Sequence, residues 1–228
     1  MAKLRLVYRC TECAGSHPKW SGRCITCGAW NSLVEDVEGP EEPLVSLAAG
    51  MSLVAPGEAK PITEVDGSIG QPQATTIPEL DRVLGGGIVP GSVTLLGGEP
   101  GIGKSTLLMQ LLAAWPARTL YVTAEESAQQ VRLRAERLGA LNENVWLLPE
   151  MNLHNIFKAI ASVQPNLIVI DSIQTIADPE LSSPPGSVVQ VRGCAHRLVQ
   201  EAKRSNIPVV LVGHVTKEGG LAGPRVLE

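Results

Sequence analysis

Long apolar runs are missing from this 228-residue chain, and none approaches the roughly 20 residues that a membrane-spanning helix requires. The N-terminus, from Met1 to Cys10, has basic residues but no apolar core of signal-peptide length, which removes the secretory reading. An excess of positive charge is missing too, since 19 Lys and Arg face 23 Asp and Glu for a formal charge of −4. The surface as a whole is therefore no magnet for polyanions, and any such site has to be a local patch. Aromatic residues are scarce, but 44% hydrophobic with 18% charged residues is a globular balance. What these absences leave is a soluble, cytoplasmic chain without membrane contact, long enough for one substantial domain and a small one.

What is present is concentrated in one stretch. Val93–Gly97 is an apolar run of strand length, followed by Gly98-Glu99-Pro100-Gly101-Ile102-Gly103-Lys104-Ser105-Thr106. Leu107, Leu108, Leu111 and Leu112 then repeat at the spacing of one helix face. Strand, G-x-x-x-x-G-K-S and helix together form a phosphate-binding loop in its required context. Backbone N–H groups have to converge on phosphate oxygens there, and glycine leaves room for them. Lys104 adds a full positive charge to the positive end of the helix it opens, and the Ser105 hydroxyl is placed to hold Mg2+. This chemistry binds a nucleoside triphosphate.

Three further segments belong beside that loop. Leu167–Ile170 is a run of four apolar residues, as in a strand buried on both faces, and it ends in Asp171, where an acid can share Mg2+ with Ser105. Leu120–Ala124 leads to Glu125 and Glu126. One carboxylate there can activate the water that attacks the γ-phosphate, with Glu125 preferred, while the other reading is that both acids begin the next helix. Val209–Gly213 ends in His214, which either touches the γ-phosphate or is structural. Strand and helix signals alternate from Thr76 onward, which predicts a parallel sheet covered on both faces. Strands are expected at Val93–Gly97, Leu120–Thr123, Val145–Leu148, Leu167–Ile170 and Val209–Val212, and helices at about 78–84, 104–115, 127–138, 153–163 and 187–204. Cys194, near the apolar stripe of the last helix, reads as a buried, inert thiol. Arg132, Arg134 and Arg137 read as a solvated helix face. Asp178–Gly186 and Thr216–Pro224 read as mobile loops above the strand ends.

The remaining four cysteines form Cys10-x2-Cys13-x10-Cys24-x2-Cys27, the spacing of a closed, structural four-thiolate Zn2+ site, with two disulfides as the competing arrangement. The segment is too small to bury a core of its own, so the metal supplies most of its folding energy. His17 between the knuckles reads as a solvated loop residue. Trp20 and Trp30 either cover the metal unit, the preferred reading, or stack on bases. Residues 1–30 carry Lys3, Arg5, Arg9, Lys19 and Arg23 against one acid, Glu12. The expected division is a zinc ribbon at 1–35, a linker at 36–75 rich in Pro and Glu, and a nucleotide-binding core at 76–228. Within the linker Ile62–Val65 is the one candidate strand.

Taken in order, these segments resemble the RecA-like ATPases, and among them the bacterial RadA (Sms) DNA repair and recombination family. The resemblance rests on the ribbon with Lys19-Trp20-Ser21-Gly22-x-Cys24, on Ile77–Gly87, on the phosphate loop, on Asp171-Ser172-Ile173-Gln174-Thr175, and on Gly213–Gly219. It implies a DNA-dependent ATPase that assembles into rings and drives branch migration on single-stranded and branched DNA, with recombination or replication proteins as partners. It implies ATPase roles for Lys104, Ser105, Glu125, Asp171 and His214, and DNA-facing loops at Asp178–Gly186 and Thr216–Pro224. Lys217 and Arg225 then face DNA or a neighbouring subunit's nucleotide.

The chain also departs from that family. Thr76 stands where a glycine is usual, and Ile25-Thr26 replaces a common proline. The family's Lys-Asn-Arg-Phe-Gly motif and Lon-protease-like domain do not occur before Glu228. The resemblance places the Val209 strand between the Asp171 and Val93 strands and leaves the outer edge of the Val93 strand bare. Weak, poorly DNA-stimulated turnover is the expectation for these 228 residues alone. Two other classes are weighed. A GTPase needs an Asp two residues after the guanine-reading Lys, which Thr216-Lys217-Glu218-Gly219 lacks, and a kinase needs an acceptor lid that is not evident. An ATP-controlled, non-catalytic clamp or adaptor recruited through the ribbon is the alternative to the motor.

Overall fold

The computed structural model describes residues 5–10, 15–38, 59, 61–64 and 70–214. Two sheets organise them. The small one is antiparallel, in the order β2-β1-β3, from β1 (Arg5–Cys10), β2 (Ser16–His17) and β3 (Leu33–Glu38). The large one is parallel, in the order β4-β8-β7-β5-β6, from β4 (Val93–Gly98), β5 (Thr119–Thr123), β6 (Val145–Pro149), β7 (Leu167–Asp171) and β8 (Val209–His214). The expected neighbours are found, since β8 lies between β4 and β7. Among the described residues nothing pairs with the outer edge of β4.

Five helices accompany the large sheet among the described residues: α1 (Pro78–Val83), α2 (Lys104–Ala114), α3 (Ala128–Arg137), α4 (Leu153–Val163) and α5 (Val188–Ser205). Side chains alternate along the strands and divide the core into two layers. Leu120, Val122, Ile168, Ile170, Val209 and Leu211 pack with Leu153, Ile156 and Ile160 of α4 and with Val191, Cys194 and Leu198 of α5. Tyr121, Leu167, Val169, Val210 and Val212 pack on the opposite face with Leu108, Met109, Leu111 and Leu112 of α2 and with Val131 and Ala135 of α3. The result is an α/β fold with a parallel sheet covered on both faces, preceded by a small ribbon. Cys194 is fully buried, and burial pushes its thiol up to about 12, in keeping with an inert core residue.

Helix starts follow the local sequence. Ser127 caps α3 by accepting from the Gln130 N–H while the Gln130 side chain accepts from the Ser127 N–H, a reciprocal capping box. Asn152 and Ser187 cap α4 and α5 through their side-chain oxygens.

Several expectations change. Ile62–Glu64 is a single 3₁₀ turn closed by the Glu64 N–H on the Pro61 carbonyl at 2.9 Å, not a strand, and all its side chains are exposed. A segment with no buried face has nothing to fix a strand register. Val65 lies outside the described residues. Asp178–Gly186 is anchored rather than loose. The buried Gln190 of α5 donates to the carbonyls of Asp178, Leu181 and Ser183 and accepts from the Asp178 N–H, and Arg197 pairs with the buried Asp178 carboxylate. Thr216–Pro224, Lys217 and Arg225 lie outside the described residues.

Thr76 has φ +67, a left-handed conformation that a β-branched residue adopts at a cost and glycine adopts freely. Its side chain is exposed, so little packing is lost on shortening it. Thr76→Gly is expected to stabilise the fold by about 1 kcal/mol, relief of strain outweighing the added freedom of the unfolded chain. Thermal unfolding should then shift up by about 2–4 °C, and an unchanged or lower midpoint would count against strain at Thr76.

Candidate active site

In a parallel sheet every strand delivers its carboxyl end to the same edge, and ligands bind there. The register fixes who meets whom: Gly98 lies opposite His214, and Thr123 opposite Asp171. The chain leaves β4 through the phosphate loop and re-enters helix at Lys104. Gly101 and Gly103 take φ of +82 and +100, where any side chain would be strained, and a Cβ at Gly98 would lie 3.3 Å from Ile102 Cγ2. Lys104 is largely buried, and its Nζ donates to the carbonyls of Gly98 at 2.7 Å and Glu99 at 2.8 Å. The ammonium is thereby folded back over its own loop. A cleft of about 220 Å³ opens there, lined by Pro100, Gly101, Gly103, Lys104, Ser105, Thr106, Thr123, Glu125, Glu126 and Asp171.

The two residues paired in the sequence as Mg2+ ligands do meet. Ser105 Oγ donates to Asp171 Oδ2 at 2.8 Å, bridging α2 to the end of β7. A hydroxyl and a carboxylate at the rim of a phosphate loop are hard oxygen donors of the kind Mg2+ takes, so the residues fit that ion. The peptide bond that follows Asp171 is cis. Next along, Ser172 Oγ donates to Glu125 Oε1 at 2.8 Å, which brings Glu125 into the same cluster. Glu126 is differently employed, its carboxylate ion-paired with Arg134 of α3. His214 closes β8 on this edge by its backbone register.

Two residues of the cluster escape sequence reasoning. Tyr121, in the middle of β5 and 1% exposed, donates its hydroxyl to Asp171 Oδ2 at 2.7 Å. Burial and then the neighbouring carboxylate raise its pKa, so it stays a donor. Arg134 Nη2 in turn donates to the Tyr121 hydroxyl at 3.2 Å. Arg134 is thus no solvated helix residue, unlike Arg132 and Arg137, which are exposed. Burial opposes its charge, but the bond to Glu126 and the contact with Tyr121 raise its pKa overall. The one available signal was the i, i+8 spacing of Glu126 and Arg134, which is ambiguous without knowing the rotation of α3.

Tyr121→Phe keeps the ring in its layer and removes only the hydroxyl. Turnover should fall about 10–100-fold, with half-maximal Mg2+ rising and the KM for ATP changing little. An unchanged Mg2+ requirement would reduce Tyr121 to a packing residue.

In the ribbon, the sulfurs of Cys10, Cys24 and Cys27 all lie within 4.8 Å of one another, and Cys10 Sγ is 3.6 Å from Cys27 Sγ. Zn–S bonds of about 2.3 Å put sulfurs about 3.8 Å apart in a tetrahedral site, so this spacing fits Zn2+. Cys13 lies outside the described residues. The Cys24 thiol is drawn down to about 5, chiefly by the Cys27 backbone N–H. His17 is buried, with Nε2 3.3 Å from Cys24 Sγ, because pairing with Tyr8 across β1 and β2 turns it inward. It is therefore not a solvated loop residue but a hydrogen-bond partner of a cysteine. Trp20 and Trp30 do not cover the unit, being 59% and 73% exposed. Among the described residues, Cys10, Cys24 and Leu33 with Tyr8 packed against them form the ribbon's apolar cluster, and neither tryptophan is part of it.

Comparison with known proteins agrees with both parts. A family profile described as an AAA domain matches residues 59–220, and one described as a rubredoxin metal binding domain matches residues 8–35. The chain is 49% identical over 232 residues to the DNA repair protein RadA of Pseudomonas aeruginosa, covering all of this chain and 50% of that protein. It is 44% identical over 235 residues to the RadA of Halalkalibacterium halodurans, with 100% and 50% covered, and 45% identical over 238 residues to that of Mycobacterium tuberculosis, with 100% and 48% covered. The chain thus spans about half the length of the curated relatives it matches. With a matched profile across most of its length and a sheet whose edge gathers the phosphate loop and its acids, the chain belongs to the AAA-domain family, in the RecA-like group that includes the RadA repair proteins.

Proposed function

We propose that this chain carries the ATPase unit of a DNA repair protein, hydrolysing ATP in response to single-stranded DNA and driving branch migration of recombination intermediates. The observation that carries this reading is the meeting of Lys104, Ser105, Glu125 and Asp171 at one sheet edge. Backbone N–H groups of the 98–106 loop, Pro100 excepted, cradle the phosphates, and the Lys104 ammonium turns from its carbonyls to the outer phosphate oxygens. Ser105 and Asp171 hold Mg2+, which when bound neutralises charge on those phosphates. Tyr121 keeps the Asp171 carboxylate aimed through a hydrogen bond to one oxygen. Glu125, steadied by Ser172, accepts the proton of the attacking water. Glu126 is a poor base by comparison, its charge already matched by Arg134. His214, at the end of β8, reports the γ-phosphate, and the family resemblance supports Lys217 and Arg225 as the residues that meet DNA or a neighbouring subunit's nucleotide. The relatives' printed name, DNA repair protein, supports the choice of DNA as partner.

The test is ATP turnover against single-stranded, duplex and branched DNA, with Zn2+ content recorded and with a version extended beyond Glu228 alongside. Stimulation by single-stranded or branched DNA is the expected result. Tight ATP binding without turnover under all these conditions would replace the motor with an ATP-controlled clamp.

A further inference from the structure

The ribbon spends two tryptophans on water. Trp20 and Trp30 are 59% and 73% exposed, and Ile25 between them in sequence is 85% exposed, so among the described residues none of the three belongs to the ribbon's buried interior. Large apolar side chains exposed within so small a unit mark a contact surface. The surroundings of Trp30 are also built rather than loose. Arg23 and Trp30 face each other as an antiparallel bridge, the Asn31 N–H bonds the Gly22 carbonyl at 2.9 Å, and Ser21 Oγ bonds the Arg23 carbonyl at 2.7 Å. The Arg23 guanidinium lies 5.6 Å from the centre of the Trp30 ring while its Nε donates to the Gly28 carbonyl at 2.8 Å. Gly28 makes this possible, since a Cβ there would lie 3.0 Å from Arg23 Nη2. Gly22 lies against the ring, where a Cβ would lie 4.0 Å from Trp30 Cζ3.

Charge selects the occupant. Residues 15–32 contain Lys19 and Arg23 and no Asp or Glu, and both cations are exposed. An exposed indole with a guanidinium already lying over its ring, in a stretch that itself contributes no Asp or Glu, suits a ligand with planar bases and a phosphate backbone. Lys19 and Arg23 make this stretch locally complementary to a polyanion, in a chain whose net charge of −4 provides no general attraction. We infer that the exposed Arg23–Trp30 pair of the ribbon, with the exposed Trp20 close by in sequence, binds single-stranded nucleic acid by base stacking, as a contact separate from the ATPase core. The inference rests on the reading of DNA as the partner and adds a second place where it is held.

The experiment measures anisotropy of a labelled oligothymidylate with the whole zinc-loaded chain, wild type against Trp20→Ala, Trp30→Ala, the double variant, Trp30→Phe and Arg23→Gln. Zn2+ content and ATP binding of each variant report folding. Each alanine variant should weaken binding about tenfold, while Trp30→Phe keeps most of the affinity because it keeps a ring to stack on. Arg23→Gln should lower the slope of log affinity against log salt by about one. ATP hydrolysis without DNA should be the same in all of them. Wild-type affinity in the zinc-replete double variant would overturn the inference, leave the DNA reading standing and point to a protein ligand for this face. No binding by the wild type at low salt would sink the DNA reading itself, and this inference with it.

Discussion

Replacing Lys104 by alanine should lower ATP hydrolysis by about a hundred- to a thousandfold, the loss expected when one charge-stabilising group is removed from a preorganised site. The reason is geometric as well as electrostatic. Lys104 is the residue that opens α2, so its ammonium stem starts where the helix dipole already favours phosphate, and the side chain is buried enough to act in a low-dielectric setting. In the structure its Nζ is held by the Gly98 and Glu99 carbonyls of the phosphate loop itself, and it exchanges these for phosphate oxygens when ATP binds. The fold should survive. The hydrogen bonds lost are to two carbonyls at the rim of an open cleft, where water replaces the ammonium. Hydrolysis measured beside thermal unfolding separates the two effects, and a variant with normal turnover would remove the phosphate-loop assignment.

How much of this was legible beforehand depended on whether the signal was local. The phosphate loop, Asp171 and the five core strands could be read because each is written within about ten consecutive residues, as apolar runs and glycine placement. The place of β8 between β4 and β7 followed from the family resemblance, while the places of β5 and β6 did not. Tyr121 and Arg134 could not be read that way. Tyr121 looks like any core residue of a buried strand until the pairing of Thr123 with Asp171 brings its hydroxyl beside the carboxylate. Arg134 looks solvated until the rotation of α3 turns it toward Glu126. His17 and the two tryptophans were misjudged for the opposite reason. In so small a unit the pairing of β1 with β2 decides which side faces the sulfurs, and hydrophobicity is a poor guide to it.

That same smallness makes metal removal the second large effect. The described interior of the ribbon amounts to Val7, Cys10, Cys24 and Leu33 with Tyr8, His17 and Ser32 beside them, and two of these are themselves candidate Zn2+ ligands. Fully burying one leucine contributes about 1.5–3 kcal/mol, far below the about 1 kcal/mol or more per residue that ordering such a segment costs. The metal has to supply the balance, and structural Zn2+ sites provide about 10–16 kcal/mol of apparent binding energy at pH 7. Chelation, or Cys24→Ser with Cys27→Ser, should therefore unfold the ribbon, seen as loss of protection from proteolysis and of the low-field amide signals of β1 and β3. The core keeps its own two apolar layers on either side of the five-stranded sheet, so ATP binding should persist at nearly unchanged affinity. Ribbon loss with nucleotide binding intact would establish two folding units in one chain. Simultaneous loss of both would mean that the ribbon's strands hold the core together as well, and that the metal is a determinant of the ATP site rather than of its neighbour.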